Sequence, residues 1–178
     1  MRRLFSFVFL LLAPAVALAG NTSSTTPYRL AMSDSVTSKV VSKLEGGSSE
    51  CRSVPAIYQV DCYRQSFRRA GSEISRYPDY SEARKALRQV EAVLKAALRQ
   101  YGDKSNPALR KNGRAYKPIR PEGVKPANAA FERARREAAT VLLRAKGPIK
   151  VHYERIAAVV GSSKLIIRSG LLKQFRLI

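Results

Sequence analysis

Between residues 79 and 102, apolar side chains recur every three or four positions: Ala83, Ala86, Leu87, Val90, Leu94, Ala97, Leu98 and Tyr101. At about 100° per residue they fill one broad face, and a helix with such a face must bury it against another element. Asp79 and Glu82 stand at capping-box spacing, and Gly102 suits the position just past a helix C-terminus. The other side of this helix carries Arg84, Arg88, Lys95 and Arg99 within an arc of roughly 60°, and Glu91 is spaced to pair with Lys95. Such a row is ordinarily a solvated face. The sharper reading is a cationic strip that meets a polyanion.

A second amphipathic helix is predicted over residues 55–74, with Val60, Tyr63, Phe67, Ala70 and Ile74 as its stripe and Arg64 and Arg68 on another side. Pro55 is a favoured first-turn residue, and Ser53 is placed to cap it. Pro78 blocks continuation, so residues 76–79 become a short turn and the two helices an antiparallel αα-hairpin. Cys51 and Cys62 are the only cysteines. Their spacing does not suit C-x-x-C redox chemistry, and two thiols with one histidine make a poor metal site. A structural disulfide is expected, tethering an incoming arm to the flank of the helix and worth roughly 3 kcal/mol in the chain-entropy model.

Ahead of the cysteines, residues 1–19 read as a secretory signal peptide. Arg2 and Arg3 precede an apolar run from Leu4 to Leu12, and Ala17-Leu18-Ala19 forms an A-x-A cleavage site. No cysteine follows that site, so a lipid anchor is not expected, and a periplasmic or secreted location agrees with a disulfide. Residues 20–50 are expected to form a flexible arm holding one short helix at 33–45, built on Val36, Val40, Val41 and Leu44 and stopped by Gly46-Gly47. A single helical domain over residues 51–170 and a basic, apolar tail at 171–178 complete the layout.

After Gly102 the periodicity disappears. Pro107, Pro118, Pro121 and Pro126 punctuate a basic segment carrying Lys104, Arg110, Lys111, Arg114, Lys117, Arg120 and Lys125 against Asp103 and Glu122. A long Pro-rich loop is predicted, with Tyr116 among its cations. A third helix should then start near residues 126–128 on Ala130, Phe131, Ala134, Ala138, Val141, Leu142 and Ala145. Gly147-Pro148 interrupts it, since an internal proline costs roughly 3 kcal/mol. The stripe resumes in phase at Ile149, Ile156 and Val160, so a fourth helix at 148–160 is expected to stack after a kink.

The chemistry of an enzyme is thin in this chain. His152 is the sole histidine and falls on an apolar stripe, where an edge-of-core role outweighs catalysis. There is no G-x-S-x-G, S-x-x-K, P-loop or H-E-x-x-H pattern, and the 13 acids are scattered singly. Neither catalysis nor a cofactor is expected. The fold expectation is all-α: a small bundle on an antiparallel αα-hairpin, with a disulfide-tethered arm and a long basic loop. A formal net charge of +20 directs function toward acidic partners: anionic lipid, lipopolysaccharide phosphate or an acidic protein surface, with peripheral membrane contact. Nucleic acid is disfavoured by the exported compartment. The candidate polyanion-binding residues are Arg84, Arg88, Lys95, Arg99, Arg110, Lys111, Arg114, Lys117 and Arg120. The alternative is a binding module whose inter-helix apolar groove is lined by tyrosines 58, 63, 77, 80 and 101.

Overall fold

The period of three to four residues persists through most of the chain as helix. The structure, a computed structural model, describes residues 33–162. In order these form α1 (Asp34–Arg52), α2 (Ala56–Glu73), α3 (Ser81–Tyr101), strands β1 (Leu109–Lys111) and β2 (Arg114–Tyr116), α4 (Pro121–Leu143) and α5 (Lys150–Ser162). The expected signal peptide, the start of the expected arm and the tail lie outside the described residues.

In α3, Ala83, Ala86, Leu87, Val90, Leu94 and Ala97 are buried, as their spacing requires. Its ends differ from expectation. A 3₁₀ turn over Pro78–Tyr80 leads into the helix, so Asp79 and Glu82 form no capping box and Tyr80 holds the N-cap position without a side-chain bond. Gly102 has φ −53°, so it continues as extended chain into a β-bridge with Ile119. Helix α2 packs on α3 in the opposite direction, since Arg64 meets Glu91 while Gly71, further along α2, lies over Leu87. Ser53 does not start α2. It closes α1, where both its N–H and its hydroxyl donate to the Glu50 carbonyl.

The largest correction concerns the arm. From Asp34 onward it is a full helix of 19 residues that places Val36, Val40 and Leu44 in the core. Ser33 caps it by accepting from the Val36 N–H at 3.2 Å. Gly46-Gly47 does not stop it, because α1 and α2 approach closely at Gly47. A Cβ there would lie 1.8 Å from the Ser66 Oγ and 2.6 Å from the Ser66 Cβ. Tight packing therefore offsets the propensity cost of glycine, about 1 kcal/mol. The same helix explains Cys62, which was expected on a flank. Covered by α1, Cys51 and Cys62 are both fully buried, bridged with their Cα atoms 5.5 Å apart. Gly47→Ala is expected to cost about 2–3 kcal/mol through overpacking, and adding Ser66→Gly should recover most of it. Urea denaturation of the two variants checks this; equal loss in both would show that the clash is not between these residues.

Helix α4 starts earlier than predicted, at Pro121. Pro126 is tolerated near its beginning on an exposed face, where the missing N–H forfeits one backbone bond. Burial of Gly123, Val124 and Ala127 holds that first segment in place. Phe131, Ala134, Ala138 and Leu142 are buried as expected, but Val141 is 44% exposed. The predicted stacking of a fourth helix after a kink is also corrected. At Gly147, φ is +70°, a value that glycine adopts readily, and the chain reverses so that α5 lies alongside α4. The buried guanidinium of Arg135 on α4 donates to the carbonyls of Val160 and Gly161 at the end of α5 and to Glu132. Those carbonyls lie in the last turn of the described helix, where a cation suits the negative end of the dipole.

His152 sits at the core edge, its Nδ1 2.8 Å from the Thr37 Oγ1, with the Tyr80 hydroxyl 2.7 Å from that same oxygen. This triple contact joins α1, the turn before α3, and α5.

Candidate functional site: a basic cleft at the end of α3

The segment expected to be loop is largely ordered. Asn112 and Gly113, with φ 51° and 70°, form a two-residue turn that pairs Lys111 with Arg114 and Leu109 with Tyr116. Two positive φ values in succession identify a type I′ hairpin turn, for which Asn-Gly is the preferred pair. Glu50 at the end of α1 receives the hairpin. Its carboxylate accepts from the Arg114 guanidinium at 2.6 Å, the Tyr116 hydroxyl at 2.8 Å and the Asn112 amide at 3.2 Å. Lys111 donates to the Ser53 carbonyl and hydroxyl, and Gln65 to the Ala115 carbonyl at 2.8 Å.

Burial opposes ionisation of Glu50, yet the donors and the Arg114 charge outweigh it and hold the carboxyl below its usual value of 4.5. A carboxyl whose pKa is depressed by folding contributes stability above its unfolded pKa and loses it as pH falls through the folded one. Glu50→Gln is therefore expected to cost about 1 kcal/mol at neutral pH. The gap from the parent protein should narrow as pH falls below the ordinary carboxylate value of 4.5 and close once the folded carboxyl is protonated, in thermal melts recorded across the acid range. A gap independent of pH would contradict the assignment.

Beyond β2 the chain is pinned by backbone bonds on both sides. The Lys117 N–H donates to the Asp61 Oδ2 at 2.8 Å, and the Ile119 N–H to the Ile57 carbonyl at 2.9 Å. The Asp103 N–H reaches the Pro118 carbonyl at 3.0 Å, and the Arg120 N–H reaches the Tyr101 carbonyl at 2.8 Å. Asp103 then closes an Asx turn by accepting from the Ser105 N–H and hydroxyl and the Asn106 amide. The Ser105 and Asn106 bonds hold its carboxyl down at about 2.

These ties create a cleft of about 610 Å³ between the last turns of α3, the 102–108 loop and the segment after β2. Lys95 and Arg99 enter it from α3, Lys104 from the loop and Lys117 from the strand end, over Leu98 and Pro118. None of the four cations has an ion pair or hydrogen-bond partner among the described residues. Arg64 also borders the cleft but is neutralised by Asp61, at 2.7 Å and 1% side-chain exposure, with Glu91 at 3.9 Å. Glu91 thus serves Arg64, and not Lys95 as the helical spacing suggested.

The nine candidate cations accordingly divide. Lys95, Arg99 and Lys117 converge in the cleft, joined by Lys104, a loop cation outside those nine. Arg88 and Arg110 are exposed and unpaired among the described residues. Arg84 donates to the Ser75 carbonyl at 2.6 Å. Lys111 and Arg114 secure the hairpin, while Arg120 bonds Glu122 at 2.8 Å and the Gln100 carbonyl at 3.3 Å. Of the tyrosines assigned to an apolar groove, Tyr63 and Tyr80 are filled into the core, with 1% and 0% exposure.

The Thr37–His152 pair resembles a nucleophile and base, but Thr37 is fully buried and its hydroxyl also engages Tyr80 and the Ser33 carbonyl, leaving no approach for a substrate. Among the described residues no three His, Cys, Asp or Glu side chains are grouped to hold a metal, and no helix is long and apolar enough to cross a membrane. No protein-family model matches the chain, and no curated protein or solved structure is significantly similar to it.

Proposed function

We propose that this chain is an exported, non-enzymatic protein of the cell envelope that binds an acidic component by charge, using the basic surface around the end of α3. The observation that carries the reading is the convergence of Lys95, Arg99, Lys104 and Lys117 with no anionic partner among the described residues. The chain's net charge of +20 adds long-range attraction. Export is supported by the charged and apolar pattern of residues 1–19 and by the buried Cys51–Cys62 bridge, which suits an oxidising compartment. Anionic lipid head groups, lipopolysaccharide phosphates and acidic protein surfaces share the chemistry required.

Near an anionic surface each basic residue contributes about 1 kcal/mol, fading over a Debye length of about 10 Å at 0.1 M salt. The protein lacking residues 1–19 should be retained by vesicles containing anionic lipid at low ionic strength and released in steps as salt rises. Lys95→Ala with Arg99→Ala should weaken retention by about 2 kcal/mol, a factor of tens. Co-sedimentation across a salt series checks this. Retention that ignores salt would replace charge with apolar contact as the source of binding.

A further inference from the structure

The cleft has a form that attraction to a surface does not require. A stripe that meets an extended polyanion keeps its charges in line along one element. Here the line along α3 is broken, with Arg84 turned to the Ser75 carbonyl, and the unpaired cations that line the cleft come from three separate backbone segments. Each segment is locked: the residues after β2 by the Asp61 carboxylate and the Ile57 carbonyl, the loop by the Asp103 turn and the Pro118 carbonyl. The backbone segments that carry the four cations are thus fixed around one cleft before any ligand arrives, which lowers the ordering cost of binding.

The charge balance selects the ligand. Asp61 is balanced by Arg64, so four cations face one carboxylate, Asp103, whose bonds are to hydroxyl and amide donors. That surplus suits a group with two or more negative charges. A phosphomonoester carries about −1.5 to −2 near neutral pH, a guanidinium grips its oxygens in a fork, and ammonium groups add point charges. A volume of about 610 Å³ lies within the range of small-ligand sites, roughly 300–1,000 Å³. Leu98, Ala108 and Pro118 supply an apolar wall for an uncharged body attached to the anion.

We infer that this cleft is a one-to-one binding site for a compact phosphate-bearing ligand: a phosphomonoester or diphosphate group, on a small molecule or at the head of a lipid. The inference rests on the charge-binding reading and adds a saturable site to it. Two titrations of the protein lacking residues 1–19 test it at fixed ionic strength. One uses inorganic pyrophosphate, followed calorimetrically. The other compares phosphatidylcholine vesicles doped with phosphatidic acid, a phosphomonoester, with vesicles doped to equal charge with phosphatidylserine.

Saturable binding with one site per chain is expected in at least one titration, weakened at least about tenfold by Lys95→Ala with Arg99→Ala and less than about twofold by Arg88→Ala. Binding of pyrophosphate alone identifies a free ligand, and a preference for phosphatidic acid identifies a lipid head group. Absence of saturation in both titrations, or an equal loss in Arg88→Ala, overturns the site. Salt-sensitive retention on anionic vesicles that survives such a result leaves the charge reading standing. A pyrophosphate site without vesicle retention does the reverse.

Discussion

Replacing Phe131 with alanine is expected to lower the unfolding free energy by about 3–5 kcal/mol, the usual range for truncating a buried phenylalanine. Phe131 is fully buried at the point where α4 meets α2. Its ring lies 5.1 Å from that of Tyr63 and 5.7 Å from that of Phe67, the second contact nearly perpendicular at 87°. The guanidinium carbon of Arg135 stands 6.0 Å from its centroid. Alanine would leave a void with two large aromatic rings unsupported, and aromatic pairs of this kind add about 0.5–1.5 kcal/mol beyond area burial. Phe131→Leu keeps most of the volume and should cost less than half as much. In urea the midpoint should fall with little change in slope, since the surface exposed on unfolding is nearly the same. A loss below 1 kcal/mol for the alanine variant would mean that the helices close over the gap.

Asp61→Ala is expected to cost about 3 kcal/mol, the lower end of the range for breaking a buried pair because Arg64 remains 18% exposed. Asp61 is 1% exposed and accepts from the Arg64 guanidinium, the Gln65 amide at 3.2 Å and the Lys117 N–H. Its removal leaves a guanidinium with only a distant Glu91 and an inward N–H with no acceptor. The effect on binding separates diffuse charge from a positioned site. Deleting a carboxylate raises the positive potential of the cleft, so binding by charge alone would tighten. A site that needs Lys117 held in place would weaken instead, because its backbone anchor is lost. Weaker pyrophosphate binding, measured below the variant's unfolding transition, is the expected outcome. Tighter binding would count against the site while agreeing with a general cationic surface.

The helical faces were legible because each is a local pattern. The stripe of α3 and that of α2 lie within about 20 residues each, and burial follows wherever a period near 3.6 persists. The β-hairpin was missed in favour of a loop, although Asn112-Gly113 is a strong short-range turn signal, because the surrounding prolines and cations break the periodicity. Gly46-Gly47 misled in the other direction. Glycine in a helix weakens it, but no local pattern reveals that Ser66 would press against Gly47 from another helix. Pro126 misled similarly, since the burial of Gly123 and Val124 by other elements keeps the helix going through it.

By itself, the sequence determined that the chain would be mostly helical, which faces of α2 and α3 would be apolar and that the chain would carry a large positive charge. Those properties depend on residues a few positions apart. Which cations remain available was decided only in the tertiary structure. Arg114 and Lys111 look no different in sequence from Lys117, yet two are bonded to the end of α1 and one opens into a cleft. Whether a charge is spent within the fold or left for a partner depends on carboxylates and carbonyls more than 50 residues away along the chain, such as Glu50 and Ser53. Such neighbours are brought together by packing and leave no periodic trace.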